Sequence, residues 1–216
     1  NPNAFCSPQA ERYWMGADAV QKPATPGVDL YVGGTEHAVL HLLYARFITM
    51  ALHDLGHLDF EEPFPKFRKH GLIIRDGAKM SKSKGNVIVP DPIIEEYGAD
   101  TFRLYLMFLG PFAEGGDYRD EGIQGPFGFL YRLHDTVTSV LAEEGRTGPP
   151  SPEVERKLHK TIKQVSEQLP NLQYHTAIAA MMEYLNAVRA GGRQAVRGEV
   201  EPLVALVAPF APHLAE

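Results

Sequence analysis

One short segment combines ammonium groups, hydroxyls and a glycine in an order suited to holding phosphates. It runs from Lys79 to Asn86 and reads Lys-Met-Ser-Lys-Ser-Lys-Gly-Asn. Lysines act as point charges toward phosphate oxygens, while hydroxyls and backbone amides donate hydrogen bonds to them. The segment therefore predicts a mobile loop that wraps a polyphosphate and stabilises charge on a leaving pyrophosphate. A solvated basic loop without a ligand is the alternative interpretation.

A second group of polar residues comes after a short apolar run. Glycines between a strand end and a helix start let a ligand approach the backbone, and open α/β sheets bind ligands at that edge. Two histidines four residues apart share one helix face, but no third ligand and no His-Glu-x-x-His pattern is nearby, so no metal site is predicted. Two satisfied core histidines are the structural alternative. The residues concerned are Gly33, Gly34, Glu36, His37 and His41.

Positive charge is concentrated in one stretch of an acidic chain. The formal net charge of -6 argues against a uniformly basic nucleic-acid coat, although a local patch can still hold a polyanion. Between positions 66 and 84 the only acidic residue is Asp76. On charge alone such a run is typical of a solvated face. Its basic members are Lys66, Arg68, Lys69, Arg75, Lys79, Lys82 and Lys84.

Composition limits the class of protein. With 216 residues, 44% of them apolar, the chain can bury one large core or two modest ones. Cys6 is the only cysteine, which excludes an internal disulfide and a cysteine-based zinc cluster and suits a reducing cytoplasm. Because no run approaches the roughly 18 to 20 apolar residues of a membrane helix and no export signal is seen, we expect a cytoplasmic location away from membranes.

The first half of the chain predicts an α/β layer. Residues 28–32 are β-branched and aromatic and predict a strand that ends at the two glycines. A helix capped by Thr35 comes next, with apolar residues at helical spacing as far as Gly56. A second strand is predicted at 71–74, so that strand, helix and strand favour a parallel sheet.

Beyond the second strand the pattern becomes helical. The sequence predicts a turn at Asp76-Gly77, then the loop from Lys79 and a strand at 87–89. Two helices are predicted next, one from Asp91-Pro92 to Tyr97 and one capped by Asp100. A glycine-rich loop leads to a helix that ends near position 142, and a linker is predicted at 145–152. No strand is predicted after it, which favours a helical bundle. Its predicted helices cover residues 153–168, 173–189 and 200 onward.

The phosphate-binding segment carries a specific resemblance. Residues 79–83 are identical to the KMSKS signature of class I aminoacyl-tRNA synthetases, and residues 91–92 and 97–100 resemble the residues after that signature in the leucine, isoleucine, valine and methionine enzymes. The resemblance implies a partial Rossmann-like catalytic fold. It also implies that Lys82 and Lys79 are catalytic and stabilise the transition state of adenylate formation. The implied ATP contacts in this loop are Lys79, Met80, Ser81, Lys82 and Ser83.

The segment that contains the glycines and histidines indicates which amino acid the resembled enzyme would use. Residues 29–47 are very similar to leucyl-tRNA synthetases and much less similar to the isoleucine, valine and methionine enzymes. This resemblance implies that His37 and His41 line a pocket for the leucine side chain. It further implies that Gly33, Gly34 and Glu36 belong to the ATP site.

The same resemblance implies a domain organisation. Residues 1–115 correspond to the C-terminal half of the catalytic domain with its KMSKS loop, and residues 116–216 to a truncated helical domain of the anticodon-binding type. The family's His-Ile-Gly-His signature and its editing domain do not occur in this sequence. We therefore expect the chain to be part of a longer enzyme and inactive alone.

The implied activity is ATP-dependent formation of leucyl-adenylate, with subsequent transfer of leucine to tRNA(Leu). The implied ligands are ATP with Mg²⁺, leucine and tRNA(Leu), and the implied protein partner is the remaining part of the synthetase chain. Two alternatives stay open. One is a synthetase for isoleucine, valine or methionine, and the other is a non-catalytic relative that binds RNA or protein.

Overall fold

A computed structural model describes residues 7–16, 26–142 and 147–216 of the chain. These residues form two compact units, which we call the amino unit, up to Gly71, and the carboxyl unit, from Leu72 onward. Cys6 and residues 145–146 of the predicted linker lie outside the described residues.

The amino unit contains a parallel strand pair joined through a helix. Helix α1 spans Pro8–Met15, strand β1 spans Tyr31–Gly34, helix α2 spans Leu40–Asp54 and strand β2 spans Phe67–His70. β1 and β2 are parallel, with Tyr31 opposite Phe67 and Gly34 opposite His70. Parallel strands need a crossover connection, which α2 supplies, and the predicted α/β class is confirmed. The strand parallel to β1 is nevertheless β2 and not the strand predicted at 71–74, which belongs to a different sheet.

Several predicted boundaries in this unit are wrong. β1 starts three residues later than predicted and continues through Gly33 and Gly34, because their backbone groups pair with β2. β2 is absent from the sequence-based prediction, since its basic residues hide the strand pattern. Thr35 does not cap α2, because a 3-10 turn at Thr35–Ala38 precedes it and Val39 takes the capping position. Gly56 comes after the helix in the left-handed conformation, at φ 76°, as predicted.

The carboxyl unit begins with a small mixed sheet. Strand β3 spans Leu72–Arg75, β4 spans Ala78–Lys79 and β5 spans Gly115–Tyr118, in the order β4-β3-β5. β4 is antiparallel and β5 parallel to β3. β5 lies in a stretch whose glycines, Gly115 and Gly116, predict a loop, so that prediction is wrong. Gly115 has φ 82°, and a Cβ there would lie 2.0 Å from the carbonyl oxygen of Leu72, so the pairing requires glycine.

A series of α-helices follows the hairpin in the described residues, and two predictions about the start of the first two helices are wrong. Residues 87–89 form no strand but lead directly into the first helix, whose capping position is Val89. Asp100 does not cap the second helix, because its carboxylate accepts a hydrogen bond from the amide of Leu214 at 2.7 Å. The helices are α3 Pro90–Tyr97, α4 Ala99–Phe108, α5 Gln124–Ala142, α6 Pro152–Gln168, α7 Tyr174–Val188 and α8 Arg197–Val207, with a last turn, α9, at Pro212–Ala215.

The main core of the carboxyl unit lies among α4 to α8. Its largest fully buried side chains include Tyr184, Phe129, Phe210, Leu104 and Leu133. Leu104 belongs to α4, so this core extends to residues before 116, while the domain boundary at 115 stays a prediction. The predicted helical bundle is confirmed. Within the described ranges, no helix is long and apolar enough to cross a membrane.

Candidate functional site

The lysine and serine loop starts from a tight hairpin in the carboxyl unit. Asp76 and Gly77 connect β3 to β4 with φ values of 54° and 70°, and Arg75 lies opposite Ala78. Positive φ at both positions defines the two-residue turn that favours Asp-Gly. The turn amide of Gly77 also faces the Asp117 carboxylate, 3.5 Å away. The hairpin therefore delivers Lys79 at the end of β4, from which the loop departs.

Apolar side chains hold the loop at its two ends. Met80 and Ile88 pack against a small cluster formed by Tyr105, Tyr118 and Ile123. Burying these side chains favours a fixed entry and exit for the chain between them. The residues from Ser81 to Gly85 are then left to polar interactions.

Within the loop the backbone turns back on itself. Residues Lys82–Lys84 form a 3-10 turn, and the amide of Lys84 donates to the carbonyl oxygen of Ser81 at 3.1 Å. Gly85 has φ 65° and ends the turn, as glycine permits. The hydroxyls of Ser81 and Ser83 lie 3.2 Å apart. The two hydroxyls therefore lie together in the turn that carries Lys82 and Lys84.

The lysines of the loop differ in their surroundings. Lys82 and Lys84 are exposed, and neither ammonium group has an ion pair or hydrogen bond with any residue that the structure describes. Lys79, by contrast, has an interaction within the protein. Two ammonium groups are therefore available to an anionic ligand in this loop.

The basic run predicted at 66–84 is not uniform. Arg75 lies 2.9 Å from the carboxylate of Asp120 and is neutralised by it. Lys66 and Lys69 are exposed on the amino unit, near and within β2. The number of basic residues therefore overstates the positive charge of this run. The acidic partner of Arg75 is Asp120, which lies 45 positions away in the sequence, after β5.

Tyr105 in α4 fixes the backbone that follows strand β5. The Tyr105 hydroxyl donates to the carbonyl oxygen of Arg119 at 2.6 Å and accepts from the Arg119 amide at 3.0 Å. Burial raises the pKa of Tyr105, while the backbone hydrogen bond opposes that change. The hydroxyl therefore stays protonated at neutral pH and fixes the chain just after β5. Sequence reasoning missed this residue, since nothing local marks a hydroxyl that bonds 14 positions away.

The amino unit carries the predicted glycines and histidines at the end of β1. A Cβ on Gly33 would lie 3.4 Å from the ring of Phe67, and one on Gly34 would lie 2.7 Å from the Glu36 carboxylate. Glu36 therefore folds back over the second glycine. A Cβ on Gly34 would therefore require the Glu36 side chain to shift, whereas one on Gly33 would lie at about contact distance from the Phe67 ring.

The two histidines form part of an aromatic group. His41 stacks on Tyr31 with ring centroids 5.2 Å apart, and Tyr31 stacks on Phe64 at 4.2 Å. His37 meets His41 edge-on, with centroids 6.4 Å apart. The structure thus brings together the two predicted histidines and adds Tyr31 and Phe64, which the sequence alone did not single out.

The histidines are not two satisfied core residues. His37 is exposed, and the buried Nε2 of His41 has no hydrogen-bond partner among the described residues. A buried polar atom without a partner is costly unless a ligand or water satisfies it. The described residues contain no group of three histidine, cysteine or carboxylate side chains that would hold a metal ion.

Comparison with protein families places these features in context. Residues 15–115 match the model for tRNA synthetases class I (I, L, M and V), and this range includes both groups of site residues. The leucine–tRNA ligase of Geobacter sp. (strain M21) is 44% identical, over 98% of this chain and 27% of that protein. The leucine–tRNA ligase of Thermotoga maritima is 46% identical, over 88% of this chain and 25% of that protein. The chain thus spans about a quarter of the length of these curated relatives.

Two solved structures of aminoacyl-tRNA synthetases are similar to this chain. The ternary complex of Agrobacterium radiobacter K84 agnB2 LeuRS with tRNA and LeuAMS matches with a TM-score of 0.74 and 35% identity, over 88% of this chain and 27% of that one. Methionyl-tRNA synthetase of Mycobacterium tuberculosis, bound by methionyl-adenylate, matches with a TM-score of 0.68 over 97% of this chain and 44% of that one. At 21% identity the second match shows the fold alone.

Proposed function

Since the chain belongs to the class I tRNA synthetases of the isoleucine, leucine, methionine and valine group, we propose that it is the part of a leucine–tRNA ligase that supplies the KMSKS loop and a leucine-binding segment. The observation that carries the proposal is the loop from Lys79 to Asn86. It presents exposed lysines and paired hydroxyls on a fixed hairpin. Identities of 44 and 46% to leucine–tRNA ligases support leucine as the amino acid.

The proposed reaction has two steps. A carboxylate oxygen of leucine attacks the α-phosphorus of ATP, the bond to the bridging oxygen breaks, and pyrophosphate leaves. A hydroxyl of the terminal tRNA ribose then attacks the leucyl carbonyl and AMP leaves. Lys82 and Lys79 stabilise negative charge on the phosphates, and the Ser81 and Ser83 hydroxyls donate hydrogen bonds to them, so catalysis is positioning plus electrostatic stabilisation.

The remaining site residues take matching roles in this proposal. Gly33, Gly34 and Glu36 contact ATP, where the glycines permit close approach to the backbone. His37 and His41 line the leucine side-chain pocket. The stacking of His41 on Tyr31 and its unpartnered Nε2 support a ligand at this position.

Mg²⁺ is proposed to enter with ATP, bound by its phosphate oxygens. Mg²⁺ usually uses substrate phosphates and waters instead of a protein cage, so ATP would supply most of its ligands. When bound, it neutralises phosphate charge beside the loop lysines.

The proposal extends to partners and organisation. tRNA(Leu) is the second substrate, and the rest of the synthetase polypeptide, with its His-Ile-Gly-His and editing parts, completes the enzyme in the cytoplasm. Residues 1–115 are assigned to the catalytic domain and residues 116–216 to the helical domain. The 216-residue chain by itself is expected to show no amino-acid activation.

The test of the loop is Lys82→Ala in the full-length enzyme. Loss of one charge-stabilising donor should lower kcat for leucine-dependent ATP–pyrophosphate exchange about 10²- to 10³-fold. Lys160→Ala is the matched control, because Lys160 is also exposed but lies on α6, and it should leave exchange unchanged. Circular dichroism should show both variants folded. Full exchange activity in Lys82→Ala would overturn the catalytic role of Lys82, whereas absence of exchange in the wild type would favour a non-catalytic relative.

The amino acid is tested by selectivity. Exchange with leucine should exceed exchange with isoleucine, valine and methionine at equal concentrations. His41→Ala should raise KM for leucine while KM for ATP stays near the wild-type value. His53→Ala, at the other end of α2, is the control. Preference for another amino acid would reassign the enzyme within the same group.

A further inference from the structure

One amide side chain ties together the two ends of the lysine and serine loop. Asn86 Oδ1 accepts a hydrogen bond from the Ser81 amide at 2.9 Å, and Asn86 Nδ2 donates to the carbonyl oxygen of Lys79 at 3.4 Å. The first bond has good length and the second is long. Together they connect the start of the loop to its last residue.

The other hydrogen bonds of the loop are local. The Lys84 and Gly85 amides donate to the carbonyl oxygens of Ser81 and Lys82, at 3.1 and 3.2 Å. These bonds shape the 3-10 turn but do not attach it to either flank. Among the described contacts, the Asn86 side chain is thus the group that closes the loop from Ser81 to Gly85.

The position of this closure bears on Lys82. The Ser81 amide, which donates to Asn86, lies just before the 3-10 turn at Lys82–Lys84, so this bond restrains the backbone at the residue that precedes Lys82. Lys82 itself has no partner within the described residues. The backbone therefore decides where its ammonium group can reach, and a fixed backbone reduces the entropy lost on binding phosphate.

We propose that Asn86 is a positioning residue. It holds the loop from Ser81 to Gly85 in the conformation that presents Lys82 and the two serine hydroxyls to the phosphates of ATP. The inference rests on the proposed function of the loop. Asn86 itself bonds to backbone atoms of the loop, and its role is exerted through Lys82.

A structural role in global stability is the competing explanation, and the surroundings of Asn86 separate the two. The loop from Ser81 to Gly85 lies outside both apolar clusters of the carboxyl unit. Removing the Asn86 side chain should therefore leave the denaturation midpoint close to that of the wild type. Its effect should be confined to the loop and to the use of ATP.

The kinetic test uses Asn86→Ala and Asn86→Asp in the full-length enzyme. Misplacing the lysine in Asn86→Ala should lower kcat/KM for ATP in pyrophosphate exchange about 10- to 100-fold, with KM for leucine unchanged. Asn86→Asp keeps the acceptor for the Ser81 amide and should recover part of this loss. Asn171→Ala is the control, because that side chain also donates to a backbone carbonyl, of Glu167 at 2.8 Å, but in the helical part.

A structural readout makes the inference independent of activity. The Ser81 amide should exchange its hydrogen faster in Asn86→Ala, and trypsin should cut after Lys82 and Lys84 more readily. Unchanged hydrogen exchange at the Ser81 amide together with unchanged trypsin cleavage would overturn the role of Asn86. Kinetic constants within about twofold of those of the wild type would overturn it as well. A fall in thermal stability with equal loss toward ATP and leucine would assign it a structural role instead. Absence of leucine-dependent exchange in the wild type would refute the proposed function, and with it the role of Asn86 in ATP use.

Discussion

The two units treat the apolar face of a helix in opposite ways. In the amino unit, α2 exposes a stripe at the spacing of one helix face, and the only large apolar side chain buried among the described residues of that unit is Phe60. In the carboxyl unit, the equivalent faces of α5, α6, α7 and α8 are buried against each other. The exposed stripe of α2 comprises Leu40, Leu43, Tyr44, Phe47 and Ile48.

This contrast shows the limits of an amphipathic pattern as a predictor. The pattern fixes which side of a helix is apolar, but burial needs a partner surface. The carboxyl unit contains such partners within its own described residues. Since burial of apolar area is the dominant favourable term in folding, most of the folding free energy of this chain should come from the carboxyl unit.

The sharpest test compares two phenylalanines. Phe129 in α5 is 0% exposed, whereas Phe47 in α2 is 66% exposed. Phe129→Ala should lower the free energy of unfolding of the chain by about 3 to 5 kcal/mol, through lost burial and a cavity. Phe47→Ala should change it by less than about 0.5 kcal/mol. Urea denaturation of both variants measures this, and equal effects would contradict the contrast between the units.

A buried ion pair should account for the next largest effect. Glu199 in α8 is fully buried, and its carboxylate accepts from the Arg193 guanidinium at 2.8 and 2.9 Å and from the Val196 amide at 3.1 Å. The hydrogen bond to Glu199 raises the pKa of Arg193, against the effect of burial. Glu199→Gln should cost about 1.5 to 3 kcal/mol, the range for a hydrogen bond to a charged group.

Its matched control is Glu201→Gln on the same helix. Glu201 is exposed and pairs with Arg197 four residues earlier, at 3.1 Å. The cost there should stay below about 1 kcal/mol. If thermal denaturation showed equal losses of stability for the two variants, the buried pair of Glu199 and Arg193 would contribute no more than an exposed pair.

A smaller effect is expected where α4 meets the last turn. Asp100 accepts from the Leu214 amide at 2.7 Å and lies 2.8 Å from Nδ1 of His213, which is largely exposed. Asp100→Ala should cost about 1 kcal/mol, because water can replace part of the interaction. Hydrogen exchange of the Leu214 amide should accelerate, while that of amides in α7 stays slow. Unchanged exchange at Leu214 would mean that this contact does not hold α9.

The smallest effect concerns an exposed pair between α6 and α7. The Lys157 ammonium donates to Glu183 at 2.7 Å, and this hydrogen bond lowers the pKa of Glu183 below its usual 4.5. Because the unfolded chain binds this proton more readily, the contribution is present above about pH 5 and is lost as pH falls through the lowered pKa. Lys157→Ala should remove roughly 0.2 to 1 kcal/mol at about pH 7 and little at about pH 3. A loss that does not depend on pH would exclude the pair as its cause.

Much of the fold could be predicted because its signals are local. Helical periodicity located α2 and the helices from α5 to α8, and Gly98, with φ 83°, marked the end of α3. Asp76-Gly77 marked the hairpin turn beside the loop. The residues of the candidate site also stood out from their types and spacing, because a phosphate-binding loop needs lysines, hydroxyls and glycine close together along the chain.

Only the tertiary structure decided which groups meet across the sequence. β2 and β5 were hidden because strand pairing satisfies backbone groups whatever the side chains are, and Asp100 bonds to residues more than a hundred positions away instead of capping its own helix. The sequence alone determined that Lys79 to Asn86 forms a basic, polar loop. The folded chain decided that Asn86 closes it, that Arg75 is neutralised by Asp120, and that His41 keeps a buried nitrogen without a partner among the described residues. Such contacts depend on three-dimensional proximity, which no local pattern of residue types encodes.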